Sequence, residues 1–198
     1  MLLFIDACAR EGSRTRRLAR RLLSGLGGEV CARQLYKARF PVADEAFLAE
    51  RDRLIAAAAF DHPMFDMARQ FAAAEQIVIA APYWDLSFPA ALKQYIEQIN
   101  VTGVTFRYSP EGIPQSLCRA KALYYVTTAG GPILSDAIGF GYVEALAKGF
   151  WQIPEIRYVK AEGLDIVGAD VEDILRGAEA EIDRLLGASA AANGDTVP

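Results

Sequence analysis

Residues 77–99 read IVIAAPYWDLSFPAALKQYIEQI. The run Ile77 to Ala81 is apolar throughout, the loop Pro82 to Pro89 mixes aromatics with turn formers, and Ala91, Leu92, Tyr95, Ile96 and Ile99 recur at helical spacing. A strand without polar alternation is one covered on both faces, and a strand running into an amphipathic helix is half of a parallel crossover. Pro89 suits the helix start, where a missing amide hydrogen is harmless.

Similar short runs occur on either side, at Leu2 to Ala7, Val30 to Leu35, Leu123 to Thr128 and Ile156 to Lys160, with helix-length segments between them. That alternation predicts a parallel α/β sheet with helices on both faces. The first, third and fourth runs are almost wholly apolar and belong at the centre. The second and last alternate more and suit the edges.

The first helix is expected from Ser13, with Leu18, Leu22, Leu23 and Leu26 as its apolar stripe and Gly27 and Gly28 as its stop. Arg16, Arg17, Arg20 and Arg21 read as its solvated face, whereas Arg14 sits in the first turn. A second helical region, Asp44 to Ala73, should break near His62-Pro63, because proline disfavours helix in the residue before it. Thr102 to Pro114, around an extended piece Val104 to Tyr108, reads as an excursion outside the main sheet. Asp136 to Gln152 and Val171 to Leu186 supply the last helices, and the small, polar stretch 188–198 reads as a disordered tail after a single domain at 1–187.

At 198 residues, 53% hydrophobic and 23% charged, the chain suits one sizeable core. A net charge of -4 provides no general attraction for phosphate backbones or anionic lipid, so neither nucleic acid nor a membrane surface is an expected partner. Any anion must be held locally. Cys8, Cys31 and Cys118 are odd in number and widely spaced, which suits neither a disulfide framework nor a zinc site and points to reduced thiols in the cytoplasm. The opening MLLFIDAC has no basic residue before its apolar run, and Asp6 interrupts that run, so it reads as a buried strand rather than a signal segment. No apolar stretch approaches the roughly 20 residues that span a bilayer.

In an open, doubly wound sheet, ligands lie beyond the carboxyl ends of the strands where the strand order reverses. Three loops leave such ends: Cys8 to Thr15, Pro82 to Pro89 and Thr128 to Leu134. The first, CAREGSRT, enters a helix whose free amides favour an anion, with Ser13 and Thr15 hydroxyls as further donors. Ser13 is equally suited to a plain N-cap. The loop lacks the Gly-Lys-Ser/Thr ending of a Walker A loop and the glycine spacing of a dinucleotide fingerprint, and better matches the phosphate of a mononucleotide. In the second loop Tyr83, Trp84 and Phe88 can flank a flat heteroaromatic ligand, or simply pack. In the third, TTAGGPI, Gly130 and Gly131 permit close backbone approach, as a simple strand-to-helix turn also would. Phosphate donors, aromatics and glycines on successive strands together suit FMN.

The segment APYWDLSFPAALKQYIEQINVTGVTFRYSPEG, residues 81–112, resembles the central part of the FMN-dependent NADH azoreductases and quinone reductases, LKQY followed by GVTFRY being its most specific piece. SRTRRL, TTAGG and VKAEGL follow the same plan elsewhere, so the resemblance covers the folded chain. It implies a flavodoxin-like five-stranded sheet of order 2-1-3-4-5. It implies a homodimer holding FMN at the subunit interface, with NADH or NADPH as donor and quinones, azo compounds or nitroaromatics as acceptors in a ping-pong cycle. Carried over by position, Ser13, Arg14 and Thr15 would hold the phosphate with Cys8 near it. Pro82 opens the aromatic loop, and Tyr83, Trp84, Asp85 and Leu86 would run along the isoalloxazine edge with backbone amides near N5 and O4. Thr128, Ala129, Gly130 and Gly131 would contact the pyrimidine end. Tyr108 and Phe150 would help line the substrate pocket.

The sequence departs from the usual azoreductase pattern in Ala7-Cys8, where a serine pair is common, in Trp84-Asp85, where a Tyr-Asn pair is common, and in Ala129, where a longer polar side chain is frequent. A carboxylate at Asp85 facing the flavin would oppose the negative charge of its reduced form. The flavin carries the chemistry, so no side chain need act as nucleophile. The single histidine, His62, lies away from the three loops and supports neither a Ser-His-Asp hydrolase nor a histidine-rich metal site. Two alternatives remain open: a flavodoxin-like one-electron carrier, usually shorter and more acidic, and a flavin-free binding protein of the same fold.

Overall fold

A computed structural model of the chain describes residues 1–194, with side chains to residue 188. Five parallel strands form the main sheet: β1 (Leu2–Asp6), β2 (Val30–Gln34), β3 (Gln76–Ala80), β6 (Ala122–Thr128) and β7 (Glu155–Ala161), in the spatial order β2-β1-β3-β6-β7. Two short strands intervene in sequence, β4 (Phe106–Tyr108) and β5 (Pro114–Ser116), and pair antiparallel as a separate hairpin. The order in chain numbering is therefore 2-1-3-6-7 rather than 2-1-3-4-5, because the excursion after residue 102 forms strands of its own.

Alternate residues of each strand face opposite layers. Leu2, Phe4, Val78, Tyr124, Val126 and Val159 pack under α1 (Arg14–Leu26) and α6 (Val171–Gly194), together with Leu18, Leu22, Leu175 and Ile182. Leu3, Ile5, Ile77, Ile79, Leu123 and Tyr125 pack under α3 (Asp66–Ala73), α4 (Ala90–Ile99) and α5 (Phe140–Gly149), together with Phe71, Tyr95 and Trp151. Such complete burial is worth about 1.5–3 kcal/mol for each large apolar side chain. A smaller cluster of Leu54, Phe65, Ala68, Val101 and Val104 joins α2 (Glu45–Ala56) to the base of the hairpin.

The helix boundaries follow local chemistry. Ser13 caps α1 by accepting the Arg16 amide, and Asp44 caps α2 by accepting the Phe47 amide. The chain leaves helix after Ala56 and re-enters through a 3-10 turn at Pro63–Phe65, whose cap is the His62 ring accepting the Met64 amide. Helix α6, expected to end at Leu186, continues to Gly194. Ala188, Ala190, Ala191 and Ala192 favour helix, and the next proline is Pro198. Of the stretch 188–198 expected to be disordered, the part up to Gly194 is thus helical, and 195–198 lie outside the described residues. No helix among the described residues is long and apolar enough to cross a membrane.

Arg17, Arg20 and Arg21 of α1 are exposed, as expected of a solvated face, and only Arg16 departs from it. Arg17 binds Glu172 and Glu179, and Arg21 binds Asp183, so a charged ladder joins α1 to α6. Arg16 is largely buried against Asp6.

Candidate functional site

The loops after β1, β3, β6 and β7 enclose a cleft of about 300 Å³ at the carboxyl edge of the sheet. Ser13, Arg14, Thr15, Pro82, Tyr83, Trp84, Thr128, Ala129 and Gly130, all expected from the sequence, line it. Ala9, Arg10, Gly12, Leu164 and Asp165 line it as well. The VKAEGL stretch pointed toward the last two, but nothing in it singled out Asp165.

The floor is a buried hydroxyl pair, Thr15 Oγ1 and Thr128 Oγ1 at 2.6 Å, which ties the first turn of α1 to the end of β6. One hydroxyl donates to the other, leaving a single proton to offer elsewhere. Ser13 Oγ accepts the Arg16 amide at 3.3 Å, and its hydroxyl also interacts with the Cys8 thiol. The first amides of α1, these hydroxyls and the exposed Arg10 form a donor set suited to a phosphate.

Arg16 fixes the loop that carries this set. Its Nε stands 2.5 Å from Asp6 Oδ2, and its terminal nitrogens donate to the carbonyls of Cys8, Arg10 and Glu11. Asp6 also accepts the Cys8 amide at 3.0 Å. The polar residue that interrupts the first apolar run is therefore the anchor of the loop.

Across the mouth, Arg14 donates to the Leu164 carbonyl at 3.0 Å and to Asp165 at 2.7 Å. The loop after β7 is zipped to the loop after β6 through Leu164 N to Ala129 O, Asp165 N to Gly130 O and Gly163 N to Gly131 O. A Cβ on Gly130 would stand 2.3 Å from Asp165 Oδ2, so glycine there admits the carboxylate.

The aromatic wall is held by Tyr83, whose amide binds the Thr128 carbonyl at 2.9 Å. Trp84 and Ser87 exchange two backbone hydrogen bonds around Asp85 and Leu86, whose φ values are 50° and 67°. Both central residues are left-handed, the conformation of a type I′ turn that normally favours glycine or asparagine. Leucine there costs about 1 kcal/mol or more, strain concentrated at the edge of the cleft.

Six expected site residues do not line the cleft. Cys8 is buried, its Sγ against the Ala80 carbonyl at 3.6 Å, and burial pushes its thiol up to about 12. Asp85 and Leu86 are exposed at the tip of the turn. Gly131 has open space where a Cβ would stand. Tyr108 and Phe150 instead pack edge-on against Phe106, at 5.4 Å and 4.7 Å between ring centroids, on the hairpin and behind it.

A parallel sheet with α1 and α6 on one face, three helices on the other and a cleft at its carboxyl edge defines a doubly wound α/β domain. The chain belongs to the family described as flavodoxin-like fold, which matches residues 1–186. It is 45% identical over 121 residues to the FMN-dependent NADH:quinone oxidoreductase 2 of Clostridium acetobutylicum, covering 59% of this chain and 60% of that protein. It is 39% identical over 130 residues to the FMN-dependent NADH:quinone oxidoreductase of Coprothermobacter proteolyticus, covering 63% and 64%. The chain thus spans less than two thirds of the length of these curated relatives. In structure it resembles an FMN-dependent NADH-azoreductase from Bacillus anthracis solved in complex with FMN, with a TM-score of 0.79 at 20% identity over 96% of this chain and 99% of that one. An azoreductase from the same organism superposes with a TM-score of 0.80 at 24% identity over 93% and 97%.

Proposed function

We propose that this protein is an FMN-dependent oxidoreductase that takes electrons from NADH or NADPH and passes them to quinones, azo compounds or nitroaromatics. The observation that carries this reading is the single cleft in which hydroxyl and amide donors at the start of α1 meet the aromatic Tyr83-Trp84 wall and the Thr128 to Gly130 backbone. The donor set fits a phosphate and the wall fits a flat ring system. The names of the Clostridium and Coprothermobacter relatives support the same cofactor, donor and acceptor class.

Ser13, Thr15, Arg10 and the first amides of α1 would hold the phosphate, and Arg16 would keep their loop in shape. Trp84 and the strained turn after it would border the ring, and Thr128, Ala129 and Gly130 would meet its far end. FMN, once bound, supplies two-electron hydride chemistry. The chain's own part is to orient the ring, admit donor and acceptor in turn, and keep water from the buried face. Tyr108 and Phe150, packed around Phe106, would shape the approach of the acceptor from the hairpin side.

A homodimer follows from the same reading. Trp84, Leu86, Leu134 and Ile138 are exposed apolar side chains on two loops beside the cleft, linked by Ser87 Oγ to Ile138 O at 2.9 Å. Such a patch suits a second copy of the chain. Three free cysteines suit the reducing cytoplasm.

The test is a visible spectrum of the protein with FMN, before and after anaerobic NADH and then benzoquinone. Bleaching by NADH and recovery with quinone support the enzyme. A long-lived one-electron form without NADH oxidation would instead identify a carrier, and absence of FMN binding would end the flavin reading.

A further inference from the structure

A second concavity, about 470 Å³, lies beyond the ends of β1 and β2, on the other side of the loop that shapes the cleft. Ala9 lines both. Here the 3-10 turn Leu35–Lys37 buries Leu35 under the sheet edge and so turns Tyr36 and Lys37 outward. Tyr36 is 48% exposed and lines the wall of the pocket.

The charges of this pocket divide unequally. Asp6 and Arg16 neutralise each other in a buried pair. That leaves Arg20 and Lys37 against Glu11, a balance of one positive charge in a protein of net charge -4. Among the described residues neither Arg20 nor Lys37 enters an ion pair, although the neighbouring Arg17 and Arg21 on α1 are both engaged. Gln34 adds an amide at the end of β2. Two free cations, an exposed aromatic ring, an amide and a carboxylate in one concavity match the parts of a purine nucleotide: phosphates, base, base edge and ribose hydroxyls.

We infer that this pocket binds the adenosine diphosphate half of the nicotinamide donor. The inference rests on the proposed oxidoreductase reading for its choice of nucleotide and on the pocket alone for the chemistry of recognition. Tyr36 stacks on the purine, Arg20 and Lys37 hold the phosphates, and Glu11 accepts from the ribose. Ala9 borders both, so the pocket and the cleft lie next to each other across the loop after β1.

The experiment measures binding of ADP, 2′,5′-ADP and inorganic phosphate by calorimetry to the FMN-loaded protein and to its Tyr36→Ala and Arg20→Ala/Lys37→Ala variants. ADP should bind more tightly than phosphate, and each variant should weaken it by about tenfold or more, the scale of a lost stacking or charge-assisted contact. Preference for 2′,5′-ADP would place the Arg20-Lys37 pair on a 2′-phosphate and choose NADPH, whereas preference for ADP would place it on the diphosphate bridge. The variants should raise KM for the dinucleotide donor while leaving the FMN dissociation constant and the rate with reduced nicotinamide mononucleotide unchanged, since that donor lacks the adenosine half. Equal ADP binding by wild type and variants, or phosphate binding as tightly as ADP, would overturn the inference. If FMN fails to bind, the oxidoreductase reading falls, and calorimetry on the flavin-free chain still decides the pocket.

Discussion

Arg14 Nη2 donates to Asp165 Oδ1 at 2.7 Å while its Nη1 holds the Leu164 carbonyl at 3.0 Å, so the first turn of α1 is latched to the loop after β7 across the mouth of the cleft. The pair is partly exposed, and surface pairs of this kind contribute about 0–1 kcal/mol to stability. Its larger effect is electrostatic: Asp165 places a carboxylate beside a donor set suited to an anion, and Arg14 offsets it.

We predict that Arg14→Ala weakens FMN binding about tenfold, or about 1.4 kcal/mol, and weakens riboflavin much less, because only FMN carries the phosphate. Adding Asp165→Asn to that variant should restore part of the loss. Flavin fluorescence titration with both ligands reads this directly, and equal losses for FMN and riboflavin would remove Arg14 from the phosphate end.

Arg16→Ala should be the most damaging change on α1. It leaves Asp6, 1% exposed, without its cation and releases the carbonyls of Cys8, Arg10 and Glu11. Breaking one partner of a buried pair costs about 3–5 kcal/mol, which should lower the urea midpoint markedly. Arg20→Ala, by contrast, should leave the midpoint nearly unchanged.

In the middle of α4, the Tyr95 hydroxyl is buried with no hydrogen-bond partner among the described residues. An unsatisfied buried group costs about 1–3 kcal/mol. Tyr95→Phe is therefore expected to raise stability by about 1 kcal/mol and Tm by about 2–4 °C, whereas a lowered Tm by calorimetry would show that the hydroxyl has a partner.

Burial pushes the Cys8 thiol up to about 12, helped by the nearby Asp6 and opposed by the Ser13 hydroxyl, and burial does the same for Cys118. Both thiols should resist iodoacetamide at pH 8 in the folded protein and react in urea, as mass spectrometry of the peptides would report. The folded form holds these protons more tightly than the unfolded chain. The stability they contribute is thus whole below the ordinary thiol value of 9.0 and is lost as pH rises from there toward about 12.

Gly130 and Gly131 should separate cleanly. Gly130→Ala drives its Cβ into Asp165 and should disturb the Arg14 latch, weakening FMN binding several-fold, about 1 kcal/mol. Gly131→Ala meets open space and should leave binding within about twofold. A large effect of Gly131→Ala would show that the backbone there approaches the ligand after all.

The strands were legible because burial on both faces writes itself locally, as unbroken apolar runs such as Leu2 to Ile5 and Ile77 to Ala80. The start of α1 at Ser13 was equally local, a property of its cap, whereas α2 ends already at Ala56 and the proline marks only the 3-10 turn at Pro63–Phe65. Turn chemistry was less legible: the two left-handed residues after Trp84 are Asp85 and Leu86, where no glycine marks the conformation.

Sequence alone determined the strand-helix alternation, the apolar faces of the elements and the three loops that carry the donors, aromatics and glycines, since each depends on residues a few positions apart. Tertiary structure decided the rest. Arg14 meets Asp165 from 151 positions away, and Thr15 meets Thr128 from 113, because parallel crossovers bring successive strand ends to one edge. The same geometry turned Cys8 inward, buried Arg16 on Asp6, and left Tyr36, Arg20 and Lys37 around a second pocket. The physical reason is that periodicity reports which face of an element is apolar, whereas charge partners and cavities depend on the order in which the strands lie side by side.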